Sequence, residues 1–226
     1  MWADIMTLVR KDLRIEFRNK ENFTNVLFFS VAVVLIFSFA LDAAQRAELL
    51  AAVAPGLMWL TVTFAGTMIV SRAFTADQQH GALRAILLSP LRREAIFLSK
   101  MTTAMAMLLT IEVVLAFLMA MFFGLPIGLH PGLLALGLLL GTLGFCSVGL
   151  LFSAMLMRSR LRELLLPVLF YPVIIPMLVA GTKTTEIAMT ADAHFDFNWV
   201  SFLAGCDLIF LTAAYLLFPT VVAEDR

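Results

Sequence analysis

Charge is what this sequence has least of. Asp, Glu, Lys and Arg make up 14% of its 226 residues, against about 25% in a soluble domain. So few charges cannot cover the surface of a soluble domain this size, which excludes a soluble globular enzyme. Acidic and basic residues balance at 16 each. With no net field, binding of nucleic acid by general basicity is excluded as well. Cysteine is scarce: Cys146 and Cys206 both fall inside apolar stretches, where the thiol serves as a small apolar side chain, so no disulfide is expected. The C-x-x-C-H haem-attachment motif is absent, as are G-x-x-x-x-G-K-[ST], H-E-x-x-H and G-x-S-x-G. Neither a nucleotide-phosphate loop nor a zinc-peptidase or nucleophile-elbow site is therefore expected. His80, His130 and His194 lie in separate loops and do not make a metal site by spacing. The chain is read as non-catalytic, with no cofactor of its own.

What is abundant is apolar residue. The AVILMFWYC set reaches 62%, with 20 Phe and 13 Met, and the mean hydropathy is +0.97. A bilayer core of about 30 Å needs about 20 apolar residues per helix. Six stretches qualify, near Phe23–Leu41, Val53–Ser71, Met101–Phe123, Gly132–Met157, Leu164–Gly181 and Trp199–Ala223. Their continuity argues against the alternation of a barrel strand, and helices satisfy their own backbone groups in lipid. The fold class expected is all-α: a polytopic membrane protein of six transmembrane helices, one domain over residues 1–226. The loops set its orientation. Arg10, Lys11, Arg14, Arg18, Lys20, Arg72, Arg84, Arg92, Arg93, Lys100, Arg158, Arg160, Arg162 and Arg226 fall on one side, and only Arg46 and Lys183 on the other. The positive-inside rule then makes both termini cytoplasmic. No secretory signal peptide is expected, because the first 21 residues mix basic with acidic residues around no apolar core.

Residues 1–21 cannot span. Trp2, Ile5, Met6, Val9, Leu13 and Phe17 recur at helical spacing, opposite Arg10, Lys11, Arg14 and Arg18. This predicts an amphipathic interfacial helix lying on the cytoplasmic leaflet. It is either a plain anchor or an elbow that also contacts a partner subunit. The loop over 72–98 is the longest expected in the cytoplasm. Gly81 breaks it, residues 82–88 are helix formers, and Pro90 ends that helix. Leu83, Ile86 and Leu87 share one face. The face suits a groove on another protein or the lipid interface.

Two acids lie within spans, Glu112 and Asp207, with no basic residue in either span. An ionisable group in lipid costs at least about 2.5 kcal/mol, so each should face protein or a cavity. Each is either a translocation or subunit-contact residue or a carboxyl bonded to a neighbouring helix. Glu112 sits near mid-span, whereas Asp207 is placed closer to the outer end. In the fourth span Gly137 and Gly141 form G-x-x-x-G, followed by Gly144, a pattern for close helix packing. Pro167, Pro172 and Pro176 are expected to bend the fifth.

The phrase Gln79-His-Gly81-Ala-Leu-Arg-Ala-Ile-Leu-Leu-Ser-Pro90 resembles the cytoplasmic loop of ABC-2-type exporter permeases, with Ala82 and Arg84 where Ser/Thr and Glu are usual. Three further phrases resemble the haem exporter protein B (CcmB) family in particular. They are Ala54-Pro55-Gly56-Leu-Met-Trp59, Leu138-Leu-Leu-Gly141-Thr-Leu-Gly144-Phe145, and Leu166-Pro167 with Tyr171-Pro172 and Pro176. The resemblance covers essentially the whole chain. It implies the membrane subunit of a cytochrome c maturation ABC complex in the bacterial inner membrane. ATP and magnesium would sit on a partner ATPase, which would contact Gln79, Gly81, Leu83, Ile86, Leu87 and Pro90. Trp59 becomes a candidate contact beside Glu112 and Asp207. Further implied partners are a haem-handling membrane subunit, a small single-span accessory subunit, a haem chaperone and a second copy of the chain. Haem would be handled by the complex and not ligated here, since Trp2, Trp59 and Trp199 are isolated. Competing readings are an ABC-2 permease for another cargo, such as a lipid-linked glycan or a drug, and a non-transporting membrane scaffold.

Overall fold

The computed structural model describes residues 2–18, 20–40, 46–74, 92–124, 129–157, 159, 161–190 and 197–223. They form seven helices: α1 (Trp2–Arg18), α2 (Lys20–Ala40), α3 (Arg46–Arg72), α4 (Arg93–Phe123), α5 (Pro131–Met155), α6 (Arg162–Ala188) and α7 (Phe197–Ala223). No strand occurs among the described residues. Helices α3 to α7 are each long and apolar enough to cross a membrane, and α2 carries a shorter apolar stretch, Thr24–Ala40. The protein is thus an all-helical, multi-pass membrane protein. Six spans were expected; five meet the length and hydropathy of a span, and α2 falls just short.

The helices overrun the apolar stretches that announce them. At 1.5 Å per residue, the 31 residues of α4 extend roughly 46 Å, well beyond a hydrocarbon core. Its first two turns carry Lys100 and also Arg93 and Glu94, which the sequence places in a loop over 72–98; the helix begins at Arg93 instead. Likewise α6 runs on through Lys183 and Glu186, which pair at 2.8 Å across one turn. Local chemistry sets the other ends. Gly124 closes α4 at φ 66, its N–H donating to the Ala120 carbonyl at 3.1 Å, a left-handed cap that glycine adopts without strain. Pro131 opens α5, where its missing N–H removes nothing. Helix α6 remains one helix through Pro167, Pro172 and Pro176. Each proline deprives the carbonyl four residues earlier of its donor.

The bundle is organised around α5, which packs on α7, α6, α4 and α3. Buried within it are Thr61, Thr142, Ser147 and Thr184, while Phe28, Phe39, Val113, Phe117, Leu208 and Leu216 point outward. That distribution, polar within and large apolar without, suits a lipid surround. Rings fill the interior: Phe145 meets Phe170 edge-on at 4.8 Å. Phe218 sits against both Phe97, at 5.3 Å, and Phe74, at 5.9 Å. On α1, Ile5 and Val9 pack with Ala95 of α4. Ile5 and Val9, expected to lie in lipid, are therefore turned onto the bundle, whereas Met6 stays exposed.

Candidate functional site: a polar layer inside the bundle

Two of the phrases that carry the family resemblance, those around Trp59 and Gly141, meet inside the bundle. Trp59 of α3 is 2% exposed. Its ring enters a hole that exists because two positions lack a side chain. A Cβ at Gly141 of α5 would collide with the ring, and one at Gly181 of α6 would come within 2.6 Å of it. The indole N–H donates to Thr185 Oγ1 of α6 at 3.0 Å, so the buried donor is satisfied. One tryptophan thus ties three helices together, locked by packing against two of them and by one hydrogen bond. The glycines of α5 work singly. Gly137 makes room for Thr184, Gly141 for Trp59, and Gly144 for Met177 and Asp207. They admit side chains from different neighbours.

Both intramembrane acids lie beside this layer. Glu112 of α4 is fully buried and accepts from Thr142 Oγ1 of α5 at 2.6 Å; its Oε2 has no hydrogen-bond partner among the described residues. Asp207 of α7 is 3% exposed, with both oxygens without a partner among the described residues. A Cβ at Gly144 would strike its Oδ1. Thr142 and Gly144 are two residues apart, hence about 200° around the helix. The acids therefore flank α5 on opposite sides at one level, near the midpoint of Pro131–Met155. Asp207 is deeper than its distance along its own span suggests, because α7 is packed along α5.

A second polar cluster lies where α1, α3 and α4 meet. Lys100 Nζ donates to Asp12 Oδ1 at 3.1 Å, both side chains under a tenth exposed, and Lys11 Nζ reaches the same oxygen at 3.0 Å. The Lys100 ammonium also stands 5.9 Å from the Phe74 ring centroid, within cation–π range. Two turns before, Arg93 Nη1 donates to the carbonyl of Pro219 in α7 at 2.9 Å. The sequence pattern missed Asp12, although it shares the Ile5–Val9 face, where an acid is out of place without a buried partner. Gly181 and Thr185 carry no local signal.

Gln79, Gly81, Leu83, Ile86, Leu87 and Pro90 lie outside the described residues, as do His80 and His194. His130 is exposed before α5. Cys146 is buried and Cys206 half-buried, both as free thiols. No group of three or more metal-ligating side chains occurs among the described residues.

A family model described as CcmB protein matches residues 3–223. The chain is 28% identical over 182 residues to heme exporter protein B of Pseudomonas aeruginosa, covering 80% of each. It is 29% identical over 181 residues to that of Rhodobacter capsulatus, covering 78% of this chain and 79% of the relative. It is 30% identical over 196 residues to that of Bradyrhizobium diazoefficiens, covering 84% and 85%. The match takes in α3, α5 and α6 together, the helices that hold Trp59. The chain belongs to the CcmB family.

Proposed function

We propose that this chain is the transmembrane subunit of an ABC transporter complex in cytochrome c biogenesis. It couples ATP hydrolysis on a partner subunit to haem delivery or to release of a haem-loaded chaperone. The observation that carries this reading is the family match over residues 3–223, together with relatives named heme exporter protein B over about four-fifths of the chain. On this reading the protein sits in the bacterial inner membrane as a single ABC-2-type domain of six spans, α2 included, with both termini cytoplasmic. It is a permease subunit without a catalytic site. ATP and magnesium belong to the ATPase, and haem to the complex. The remaining partners are a haem-handling membrane subunit, a single-span accessory subunit, the chaperone and a second copy.

The coupling contact is assigned to the segment 72–98, through Gln79, Gly81, Leu83, Ile86, Leu87 and Pro90, with Leu83, Ile86 and Leu87 as anchors on a helix that follows Gly81 and ends at Pro90. Burying one such anchor is worth roughly 1.5–3 kcal/mol, so a charge there breaks the contact. Glu112, Asp207 and Trp59 then form the layer inside the bundle that must rearrange, or stay rigid, when the ATPase acts. In a host lacking its own relative, the wild-type chain restores haem-bearing c-type cytochromes and co-purifies the ATPase. Leu83→Asp and Ile86→Asp insert normally but lose both. Failure of the wild-type chain to restore cytochrome c, at normal membrane level and with its own ATPase supplied, refutes the reading.

A further inference from the structure

The outward faces of α6 and α7 carry polar groups that nothing in the chain satisfies. Pro172 and Pro176 of α6 are both exposed. Neither has an N–H, so the carbonyls of Val168 and Pro172 receive no helix donor, and no side chain among the described residues donates to them. On α7, Thr212 is exposed near mid-span. Thr102, Thr110, Thr182 and Thr220 turn their hydroxyls onto carbonyls of their own helices. The Thr212 hydroxyl makes no hydrogen bond among the described residues. A backbone acceptor left open in hydrocarbon is costly, and prolines persist in membrane helices where a neighbour supplies the donor.

Donor and acceptors lie at one depth. A Cβ at Gly144 of α5 would meet both Met177 of α6 and Asp207 of α7, so those two side chains share a level. Five residues from there toward the cluster of Phe74, Phe97 and Phe218, α6 has Pro172 and α7 has Thr212. With about 5.4 Å per turn, Thr212 falls within a turn of the Val168 and Pro172 carbonyls. Two residues the other way, the faces match in shape. Val179 of α6 is 48% exposed. Gly205 of α7 is exposed too, and a Cβ added there would meet nothing within 4 Å. A knob and a notch thus stand at the same height.

Both faces point out of the chain, so they meet only between molecules. A two-fold axis along the membrane normal keeps every residue at its own depth. It sets α7 of one copy on α6 of the other, and the reverse, with donor, acceptors, knob and notch each at the right height. A helix of another protein would have to reproduce that spacing independently. Small residues and interhelical hydrogen bonds are what hold membrane helices together.

We infer that the α6–α7 face is the contact between two copies of this chain. Thr212 of one copy donates to the Val168 or Pro172 carbonyl of the other, and Val179 seats over Gly205. The inference deepens the proposed pairing with a second copy: it rests on that reading for the existence of the pair, and on this chain alone for the face.

The test is disulfide trapping in membranes that hold the ATPase, with Cys146→Ala and Cys206→Ala in every chain. One tagged copy carries Gly205→Cys and a differently tagged copy carries Val179→Cys, so a bond between them joins two molecules. Val113→Cys is the control, on the lipid face of α4 and 67% exposed. Oxidation should link Gly205→Cys to Val179→Cys and not to Val113→Cys. Thr212→Val removes the donor and should lower the linked fraction about threefold to tenfold, whereas Thr212→Ser should keep it. Absence of the link at normal membrane level overturns the assignment, as does an equal link to Val113→Cys. Equal yields from Thr212→Val and Thr212→Ser overturn the hydrogen bond. A Gly205→Cys chain joined to a different subunit overturns the second copy as occupant. The assay reads neither ATP hydrolysis nor cytochrome c, so its failure is distinct from failure of the transporter reading in complementation.

Discussion

The lock around Trp59 can be broken and then mended by design. In Gly141→Ala the added methyl would meet the far edge of the indole, atoms Cη2, Cζ3 and Cζ2, while the Thr185 bond at 3.0 Å holds that ring in place. Overpacking of this kind costs about 1–3 kcal/mol. Trp59→Phe acts oppositely. It removes the benzo edge and the N–H donor, leaving a void and a hydroxyl without its donor; the lost hydrogen bond alone is worth about 1 kcal/mol. The methyl that clashes in the first variant occupies the space vacated in the second. The double variant should therefore be more stable than the sum of the two losses predicts, by about 1–2 kcal/mol, within the coupling found for touching residues. Thermal unfolding of the four proteins in one detergent, read by loss of monodisperse protein on gel filtration, measures the cycle. Additive losses would show that ring and glycine do not share a wall. A Gly141→Ala protein as stable as the wild type would show that the ring moves aside freely, and the account of Trp59 as a lock would fail.

Glu112→Gln should keep normal membrane level and stability, because an amide can still accept from Thr142. Glu112→Leu should lose about 1–3 kcal/mol by leaving the Thr142 hydroxyl unpaired, and equal stability of the two variants in thermal unfolding would place the carboxyl in a tolerant environment. Lys100→Met leaves the buried Asp12 carboxylate with only its part-exposed partner Lys11 and should cost up to about 3–5 kcal/mol, whereas Asp12→Leu with Lys100→Met should recover most of it. Denaturation midpoints for both decide this, and a harmless single variant would contradict a buried pair. Reporter fusions after Arg46 and Thr190 should read as outside and one after Arg93 as inside; an external signal at Arg93 inverts the proposed topology.

The apolar runs located the long helices because hydropathy reports the lipid-facing part of a span. They missed the ends because hydropathy says nothing about helicity beyond lipid. Arg93, Glu94 and Lys100 are helical and polar, as are Lys183 and Glu186, and each set looked like loop. In α2 the described apolar stretch, Thr24–Ala40, is shorter than those of its neighbours. At the site, Gly141, Gly144, Trp59 and both acids were visible as oddities: small residues in a row, a lone indole, charges in lipid. Their partners were not. Thr142, Thr185, Met177 and Gly181 are ordinary residues in membrane helices, and only the packing of α3, α4, α6 and α7 on α5 selects them. The three glycines were read only as a pattern for close helix packing. They serve different side chains because successive glycines three and four residues apart drift around α5 and meet different neighbours.

Consider, finally, the first two turns of α4. Arg93 holds the last turns of α7 through the Pro219 carbonyl, and Lys100 holds α1 through Asp12. Chain connectivity joins the segment 75–91 to α3 at Phe74 and to α4 at residue 92, so a pull or push on that segment enters the bundle at Arg93 as well as through α3. It arrives at a forked joint, with one tine on the final helix and the other on the first. Sequence-distant ends of the protein are therefore yoked to a single input, and neither can be displaced alone without parting a charge-assisted bond. A load applied there would be shared between the opening and closing helices of the chain before it reached the interior.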